Sequence, residues 1–204
     1  NLDYIKLQAA DGSIYYFAQE NLEFQRLDKQ FKEKKQWIEG VPKLKTIEQI
    51  FKEHGGYKVL GTVKGSDMVG WAYDGPYDHF DAQSEPGGFP IVDEKLKAEG
   101  SCGKSQHQVV DPGKDGMGND IVVGGEGTGI VHMAPGCGDI DNKIGQKLEM
   151  VSIAPLDEES KFTDNFGWLS GKSATDEKTV QAIIDDLKER DLLVYVEDYP
   201  HVYP

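Results

Sequence analysis

The sequence has few basic residues for its length. Its 204 residues include 22 Lys and Arg against 36 Asp and Glu, which gives a formal net charge of −14 at pH 7. A protein that binds duplex nucleic acid along a broad face needs Lys or Arg side chains to neutralise the phosphates. General duplex binding is therefore excluded at this stage, and duplex DNA is not an expected partner.

Long apolar runs are also absent. No stretch of eighteen apolar residues occurs, so the sequence predicts neither a transmembrane helix nor a membrane partner. Residues 1–8 lack a basic patch followed by an apolar stretch, so no signal peptide is predicted there. The chain begins with Asn1 and not with Met, which leads us to expect a segment of a longer protein.

Cysteine is scarce, with only Cys102 and Cys137. Two cysteines exclude a disulfide-dense secreted scaffold. We expect two reduced thiols in a cytoplasmic protein.

The first part of the chain predicts a β-hairpin followed by helices. Residues 4–7 and 14–17 have strand composition, and Asp11 and Gly12 between them suit a tight turn with positive φ angles. A short helix is predicted over residues 46–53. Before it, an amphipathic helix is expected, whose apolar stripe consists of Phe24, Leu27, Phe31 and Ile38.

From Tyr57 onward the apolar pattern becomes that of strands. The predicted strands cover residues 57–63, 67–73, 89–92, 106–110, 121–123 and 127–135. Thr175 is predicted to cap a final helix, whose apolar face consists of Val180, Ile183, Ile184 and Leu187. Short strands with Gly-rich turns favour a curled or barrel-like, mostly antiparallel sheet. The expected fold class is therefore α+β, with helices flanking the sheet in a single domain over residues 1–204.

Two segments resemble ligand-binding loops in composition only. Residues 124–129 are Gly-rich, but a strand pattern follows them, whereas a phosphate-binding loop leads into a helix. Residues 111–120 lack the Asp spacing and the distal Glu of a calcium loop. The first segment is interpreted as a sharp turn and the second as a hairpin-like loop.

Side chains capable of chemistry are densest between residues 132 and 141. This stretch and the residues before it contain Cys102, His107, His132, Cys137, Asp139 and Asp141. Zinc accepts imidazole, thiolate and carboxylate ligands, but the paired spacings of established zinc sites are missing. A chance grouping or a metal-free site is favoured over zinc. In the metal-free interpretation Asp139 or Asp141 binds a cationic group and His132 lines the pocket wall.

Residues 127–141 resemble the signature of the editing domain that is inserted in isoleucyl-tRNA synthetases. They read Gly-Thr-Gly-Ile-Val-His-Met-Ala-Pro-Gly-Cys-Gly-Asp-Ile-Asp. The related valyl and leucyl enzymes usually carry Lys or Met at the position of His132, and Pro-Ala-His where this chain has Ala-Pro-Gly. Residues 59–70, 155–163 and 199–201 resemble three further segments of the same family. The resemblance covers nearly the whole chain.

The resemblance implies hydrolysis of mischarged tRNA. Valine and isoleucine differ by one methylene, worth only about 1–3 kcal/mol in a binding pocket, a problem for which these synthetases are themselves the standard example. A second site must therefore admit valine, exclude isoleucine and cleave the ester of valyl-tRNA(Ile), with valyl-adenylate as an open second substrate. The implied partners are the 3′ end of the mischarged tRNA and the remaining domains of the synthetase.

The resemblance also implies roles for individual residues. Asp141 matches the Asp that pairs with the α-ammonium of the substrate and is the expected catalytic residue. His132 would exclude isoleucine. The full set of expected substrate-binding residues is His132, Ala134, Cys137, Gly129 and Asp139. An oriented water would attack the ester without a metal or other cofactor, since ATP and Mg²⁺ belong to the aminoacylation domain outside this chain.

Two departures from the family leave alternatives open. The Thr-rich peptide that forms the opposite wall of the family's pocket lies upstream of Tyr4 and is not in the sequence. Asp139-Ile140-Asp141 also replaces the commoner acidic pair. One alternative is therefore a folded but inactive substrate-binding fragment. Another is a zinc hydrolase that uses Cys102, His107, His132 and Cys137.

Overall fold

The computed structural model describes residues 2–25, 44–89, 92–125 and 127–199. These residues divide into two compact units, each built from separate stretches of the chain. The first unit takes the described residues of Asn1–Val69, Asp111–Val131 and Tyr195–Pro204, and the second takes those of Gly70–Val110 and His132–Val194. The single domain expected over residues 1–204 stays a prediction.

The first unit contains a three-stranded antiparallel sheet. Strands β1 (Asp3–Ala9), β2 (Ile14–Ala18) and β3 (Tyr57–Lys64) lie in the order β2-β1-β3. The predicted hairpin is confirmed, because β1 and β2 pair directly across the turn that contains Gly12, whose φ is +93°. The α+β class is confirmed as well, but the sheet is open and does not close into the barrel-like form.

One face of this sheet packs on a short helix. Helix α1 (Ile47–Glu53) begins with a capping box, in which the Thr46 side chain accepts the Gln49 N–H and the Gln49 side chain accepts the Thr46 N–H. The buried core consists of Ile5, Leu7, Phe17 and Phe51. The helix predicted over residues 46–53 is thus confirmed, while most of the helix expected after Phe24 lies outside the described residues.

The Gly-rich segment lies against the end of β2. The Ala18 N–H donates to the Thr128 carbonyl at 2.8 Å. The buried Asn21 side chain donates to the Gly127 carbonyl at 3.0 Å and accepts the Gly125 N–H at 2.7 Å. No strand forms over residues 121–123 or 127–135 of the described chain, so those two predictions are wrong. The positive φ angles of Gly127 and Gly129 interrupt the extended backbone.

The hairpin-like loop over residues 111–120 is confirmed by an antiparallel bridge between Lys114 and Asp120. Inside the loop, the Asp115 carboxylate accepts the backbone N–H groups of Met117 and Asn119, each at 2.8 Å. The strand predicted over residues 67–73 is partly wrong. Helix α2 (Gly65–Met68) occupies its start and buries Met68.

The rest of the strand predicted over residues 67–73 lies in the second unit. Residues 70–73 pair with residues 107–109, through Gly70 N–H to Val109 O at 2.8 Å and Tyr73 N–H to His107 O at 3.1 Å, although Gly70 itself has a φ of +88° and is not extended. The strand predicted over residues 106–110 is therefore confirmed only as this short pairing. The strand predicted over residues 89–92 lies partly outside the described residues.

The rest of the second unit consists of α-helices joined by long irregular segments. The α-helices are α3 (Asp81–Ser84), α4 (Glu94–Ala98), α5 (Asp139–Lys147) and α6 (Glu177–Glu189). The core consists of Phe80, Ala82, Phe166 and Leu169. Asp176, and not the predicted Thr175, caps α6 by accepting the Lys178 N–H. None of the helices in the described ranges combines the length and apolar character that a membrane span requires.

Candidate functional site

The stretch with the densest chemistry forms a tight turn that leads into α5. The Cys137 N–H donates to the Ala134 carbonyl at 2.9 Å and closes the turn over Pro135 and Gly136. Gly138 then serves as the extended N-cap of α5. Asp139 and Asp141 lie in the first helical turn, where the partial positive charge of the helix N-terminus favours carboxylates.

The Asp141 carboxylate points back at this turn. Its Oδ2 accepts the Ala134 N–H at 3.0 Å, across seven residues of sequence. Asp141 is half-buried, and among the described residues its Oδ1 accepts no hydrogen bond and meets no cationic side chain. The carboxylate is therefore held in place by one oxygen, while its other oxygen has no partner among the described residues.

The neighbouring Asp139 has different surroundings. Its carboxylate pairs with Lys143 at 2.7 Å, and its side chain is 82% exposed. A lysine one helical turn away offsets the charge of Asp139, although such exposed pairs stabilise the protein by less than about 1 kcal/mol. Of the two candidate carboxylates, Asp141 is thus the one whose charge is not already paired.

Two glycines allow the turn to pack tightly on its neighbours. A side chain on Gly136 would overlap the backbone carbonyl of Ile153. A Cβ on Gly145 of α5 would lie 2.7 Å from the Cβ of Pro135, closer than real Cβ atoms approach. The turn is therefore held between α5 and the backbone at Ile153, both within the second unit.

Cys137 lies at the exposed side of the turn, within electrostatic reach of Asp141. Partial burial raises the pKa of the Cys137 thiol, and the nearby Asp141 carboxylate raises this pKa further. Both effects disfavour the thiolate, so Cys137 presents a neutral, weakly polar surface at neutral pH. This character suits a pocket wall better than a nucleophile.

The remaining predicted residues are less closely grouped. His132 is exposed and lies two residues before Ala134 in the second unit. Gly129 belongs to the first unit, where its carbonyl accepts the Tyr4 hydroxyl at 2.7 Å and its Cα packs on Ala18. These contacts explain a glycine at this position. The structure thus groups Ala134, Cys137, Asp139 and Asp141 around one turn, while the substrate-binding roles stay predictions.

The described part of the chain contains no cluster of ligands that the zinc alternative would need. No group of three or more His, Cys, Asp and Glu side chains there could hold a metal ion. His107 is engaged elsewhere: its Nδ1 lies 3.0 Å from Asp78 Oδ1, and its ring stacks on Tyr73 with the centroids 5.2 Å apart.

Sequence reasoning missed Asn142, the residue after Asp141. Its Nδ2 donates to the Pro135 carbonyl at 2.9 Å, and its Oδ1 accepts Gln146 Nε2 at 3.0 Å. The signal in the sequence was the spacing of Asn142 and Gln146, since amide side chains four residues apart on a helix can hydrogen-bond.

This arrangement can do two things chemically. A half-buried carboxylate with a free oxygen binds a cationic group, because a hydrogen bond between charged groups is about twice as strong as a neutral one. The same oxygen can also orient a water molecule or accept a proton from it.

Comparison with known proteins gives a consistent set of relatives. No model of a known protein family matches the chain. The isoleucine–tRNA ligase of Sulfolobus acidocaldarius is 34% identical over 152 residues, 72% of this chain, and that of Saccharolobus solfataricus is 32% identical over 161 residues, 78% of this chain. The isoleucine–tRNA ligase of Tetrahymena thermophila is 29% identical over 157 residues, 75% of this chain. The matched segment spans only 12%, 14% and 12% of these three relatives.

Proposed function

The chain is homologous to a segment of the isoleucyl-tRNA synthetases, and from this premise we propose that it is the editing domain of such an enzyme. Its reaction is hydrolysis of the ester that joins valine to the 3′ end of tRNA(Ile). The rest of the synthetase and the mischarged tRNA are its partners. The reaction protects translation from valine at isoleucine codons.

The observation that carries this proposal is the Asp141 carboxylate, which is held by the Ala134 N–H and has no other partner in the described part of the chain. The α-amino group of an esterified amino acid is a cation when protonated. At 4 Å and an effective dielectric constant of 20, attraction between the two charges is about 4 kcal/mol. The ester carbonyl carbon is bonded to the carbon that bears this amino group, so holding the ammonium also fixes the reacting atom.

We propose that selection against isoleucine depends on a compact pocket beside this carboxylate. Ala134 and Cys137 would form one wall, and His132 another. An additional methylene on the substrate must either displace a wall or leave the ester out of position, and overpacking of this kind costs about 1–3 kcal/mol. Valine, one methylene smaller, would fit without this cost.

Hydrolysis itself needs only a water molecule placed against the ester carbonyl. In the proposed mechanism a bound water attacks this carbon, the carbonyl electrons move onto oxygen, and the collapse of the intermediate releases valine and the ribose hydroxyl. Asp141 holds the ammonium, and the turn around Pro135 shapes the space for the side chain. We propose that no metal or other cofactor takes part.

The acidic composition restricts how tRNA binds. With a net charge of −14, the chain has no general attraction for phosphate groups. Single-stranded ends of RNA can be recognised through bases, sugars and an attached group without a broad basic face. We therefore propose that this domain binds only the aminoacylated 3′ end, while the rest of the synthetase binds the body of the tRNA.

Substitution of Asp141 tests the proposal in the complete synthetase. Deacylation of Val-tRNA(Ile) by Asp141→Ala is expected to fall by about 100-fold, since loss of one partner of a charged pair costs about 2–5 kcal/mol. Aminoacylation with isoleucine should be unchanged. Asp185→Ala removes an exposed carboxylate from α6 and is the matched control. Deacylation that is unchanged in Asp141→Ala would refute the assignment.

The 204-residue chain on its own decides between the two fragment hypotheses. Release of valine from Val-tRNA(Ile) by the purified chain, abolished by Asp141→Ala, would show that the fragment is active. No release by the chain, with Asp141-dependent release by the complete synthetase, would identify a folded but inactive fragment. Loss of activity on treatment with a zinc chelator would favour the zinc hydrolase.

A further inference from the structure

Asn142 contacts the same turn as the proposed catalytic residue. Its Nδ2 donates to the Pro135 carbonyl at 2.9 Å, and the preceding Asp141 accepts the Ala134 N–H at 3.0 Å. Two successive residues of α5 therefore hold two successive residues of the turn. Rotation of the turn about its own axis would break both hydrogen bonds together.

Gln146 fixes the orientation of the Asn142 side-chain amide. Gln146, four residues later on α5, donates its Nε2 to Asn142 Oδ1 at 3.0 Å. With the oxygen accepting from Gln146, the NH₂ group of Asn142 must face the Pro135 carbonyl. Gln146, Asn142 and the turn thus form one chain of hydrogen bonds along the helix.

The packing contacts of the turn do not replace this bond. Gly136 and Gly145 allow close approach to Ile153 and Pro135, and such contacts limit translation of the turn. They have little directional preference, whereas a hydrogen bond weakens steeply when its angle changes. Without Asn142 the Pro135 carbonyl loses its donor among the described residues.

We propose that Asn142 is a positioning residue of the editing site. It fixes the turn around Pro135, and through the turn it fixes the direction of the Asp141 carboxylate and the wall formed by Ala134 and Cys137. This inference rests on the proposed function. Asn142 itself does not touch the substrate.

The test compares Asn142→Ala, Asn142→Leu and Asn142→Gln in the complete synthetase. Leu has the same branching and the same number of side-chain heavy atoms as Asn but no donor, and Gln keeps the donor on a longer side chain. Deacylation of Val-tRNA(Ile) should fall by about 10- to 100-fold in the Ala and Leu variants, as expected for a misplacement of about 1 Å. The Gln variant should recover part of the rate.

The ratio of deacylation of Val-tRNA(Ile) to that of Ile-tRNA(Ile) separates positioning from stability. A displaced wall admits isoleucine, so this ratio should fall by about tenfold in the Ala and Leu variants. A purely structural role would lower both rates equally, in step with the folded fraction measured by circular dichroism, and would overturn the proposal. So would a rate and ratio equal to those of the unmodified enzyme.

Two further variants complete the experiment. Lys147→Ala removes an exposed side chain from the last residue of α5 and leaves the turn and both aspartates untouched, so its rate should stay within about twofold of the unmodified enzyme. Asp141→Ala distinguishes failure of the proposed function from failure of the positioning role. If it leaves deacylation intact, the proposed function fails. If it abolishes deacylation while the Asn142 variants are fully active, only the positioning role fails.

Discussion

Asp139 and Asp141 are two residues apart on one helix, yet their carboxylates have different neighbours. In an α-helix, residues two apart point in nearly opposite directions, because each residue turns the chain by about 100°. Asp139 therefore reaches Lys143 one turn later, while Asp141 reaches back to Ala134. Both residues lie in the first turn of α5, but the direction of the preceding turn decides which carboxylate stays unpaired.

Gly136 is expected to be the least replaceable glycine of the site. In Gly136→Ala the new methyl group would overlap the Ile153 carbonyl, and overpacking against backbone should lower the free energy of unfolding by about 2–3 kcal/mol. Gly116→Ala is the matched control, because nothing lies within 4 Å of its Cβ position. Urea denaturation measures both. Equal stabilities would contradict the close approach at Gly136.

The reactivity of Cys137 should report its burial and its electrostatic interaction with Asp141. Because only the thiolate is alkylated, a raised pKa means slower alkylation by iodoacetamide at a given pH. In Cys102→Ser protein the midpoint of the rate against pH should lie above that of a solvated thiol. Asp141→Asn should lower this midpoint without bringing it to the solvated value, since burial is the larger cause. A midpoint at or below the solvated value would contradict the structure.

At the scale of elements, the sequence predicts the segments with a clear apolar period, which become β1 to β3, α1 and α6, better than the glycine-rich segments. The spacing of Ile47, Ile50 and Phe51 and the Thr46 cap are local signals, and the structure confirms α1. The strand predicted over residues 127–135 depended on apolar composition alone. The conformation there is set by positive φ angles at glycines and by the hydrogen bond from Ala18, and neither follows from the apolar pattern.

Substitutions at the N-caps of α1 and α6 test whether the cap seen in the structure or the cap predicted from the sequence stabilises the helix. Thr46→Ala should lower the free energy of unfolding by about 1 kcal/mol, because the cap satisfies helix N–H groups that have no other partner. Asp176→Ala should cost a similar amount. Thr175→Ala should be nearly neutral, since the Thr175 hydroxyl bonds Ser173 and does not cap the helix. A larger loss of unfolding free energy in Thr175→Ala than in Asp176→Ala would identify Thr175 as the cap, as the sequence predicts.

At the scale of the whole molecule, composition predicted the class of the protein but not its arrangement. The α+β class and the pairing of β1 with β2 follow from nearby residues. The pairing of β1 with β3 joins Asp3 to Lys64, and Tyr4 donates to the carbonyl of Gly129, 125 residues later. Such distant contacts depend on packing that no local pattern contains, so the open sheet and the two units were not predictable.

The net charge predicts how salt affects stability. Raising NaCl from 10 mM to 150 mM shortens the screening length from about 30 Å to about 8 Å and weakens repulsion among the excess carboxylates. The exposed ion pairs lose strength too, but each contributes less than about 1 kcal/mol. The thermal unfolding midpoint at pH 7 should therefore rise. Near pH 4.7, where the net charge is close to zero, the rise should disappear; a falling midpoint at pH 7 would show that attraction dominates.

Because each unit is built from separate stretches of the chain, the order of synthesis affects when the contacts of the first unit can form. The three strands of the sheet are complete once Lys64 has left the ribosome, but Tyr4 and Ala18 bond to Gly129 and Thr128, which are made later. All of Gly70–Val110, part of the other unit, is translated in between. At about 5–20 residues per second, the nascent sheet waits several seconds for these bonds. Vectorial synthesis thus leaves the sheet without these hydrogen bonds until residues 128 and 129 have been made.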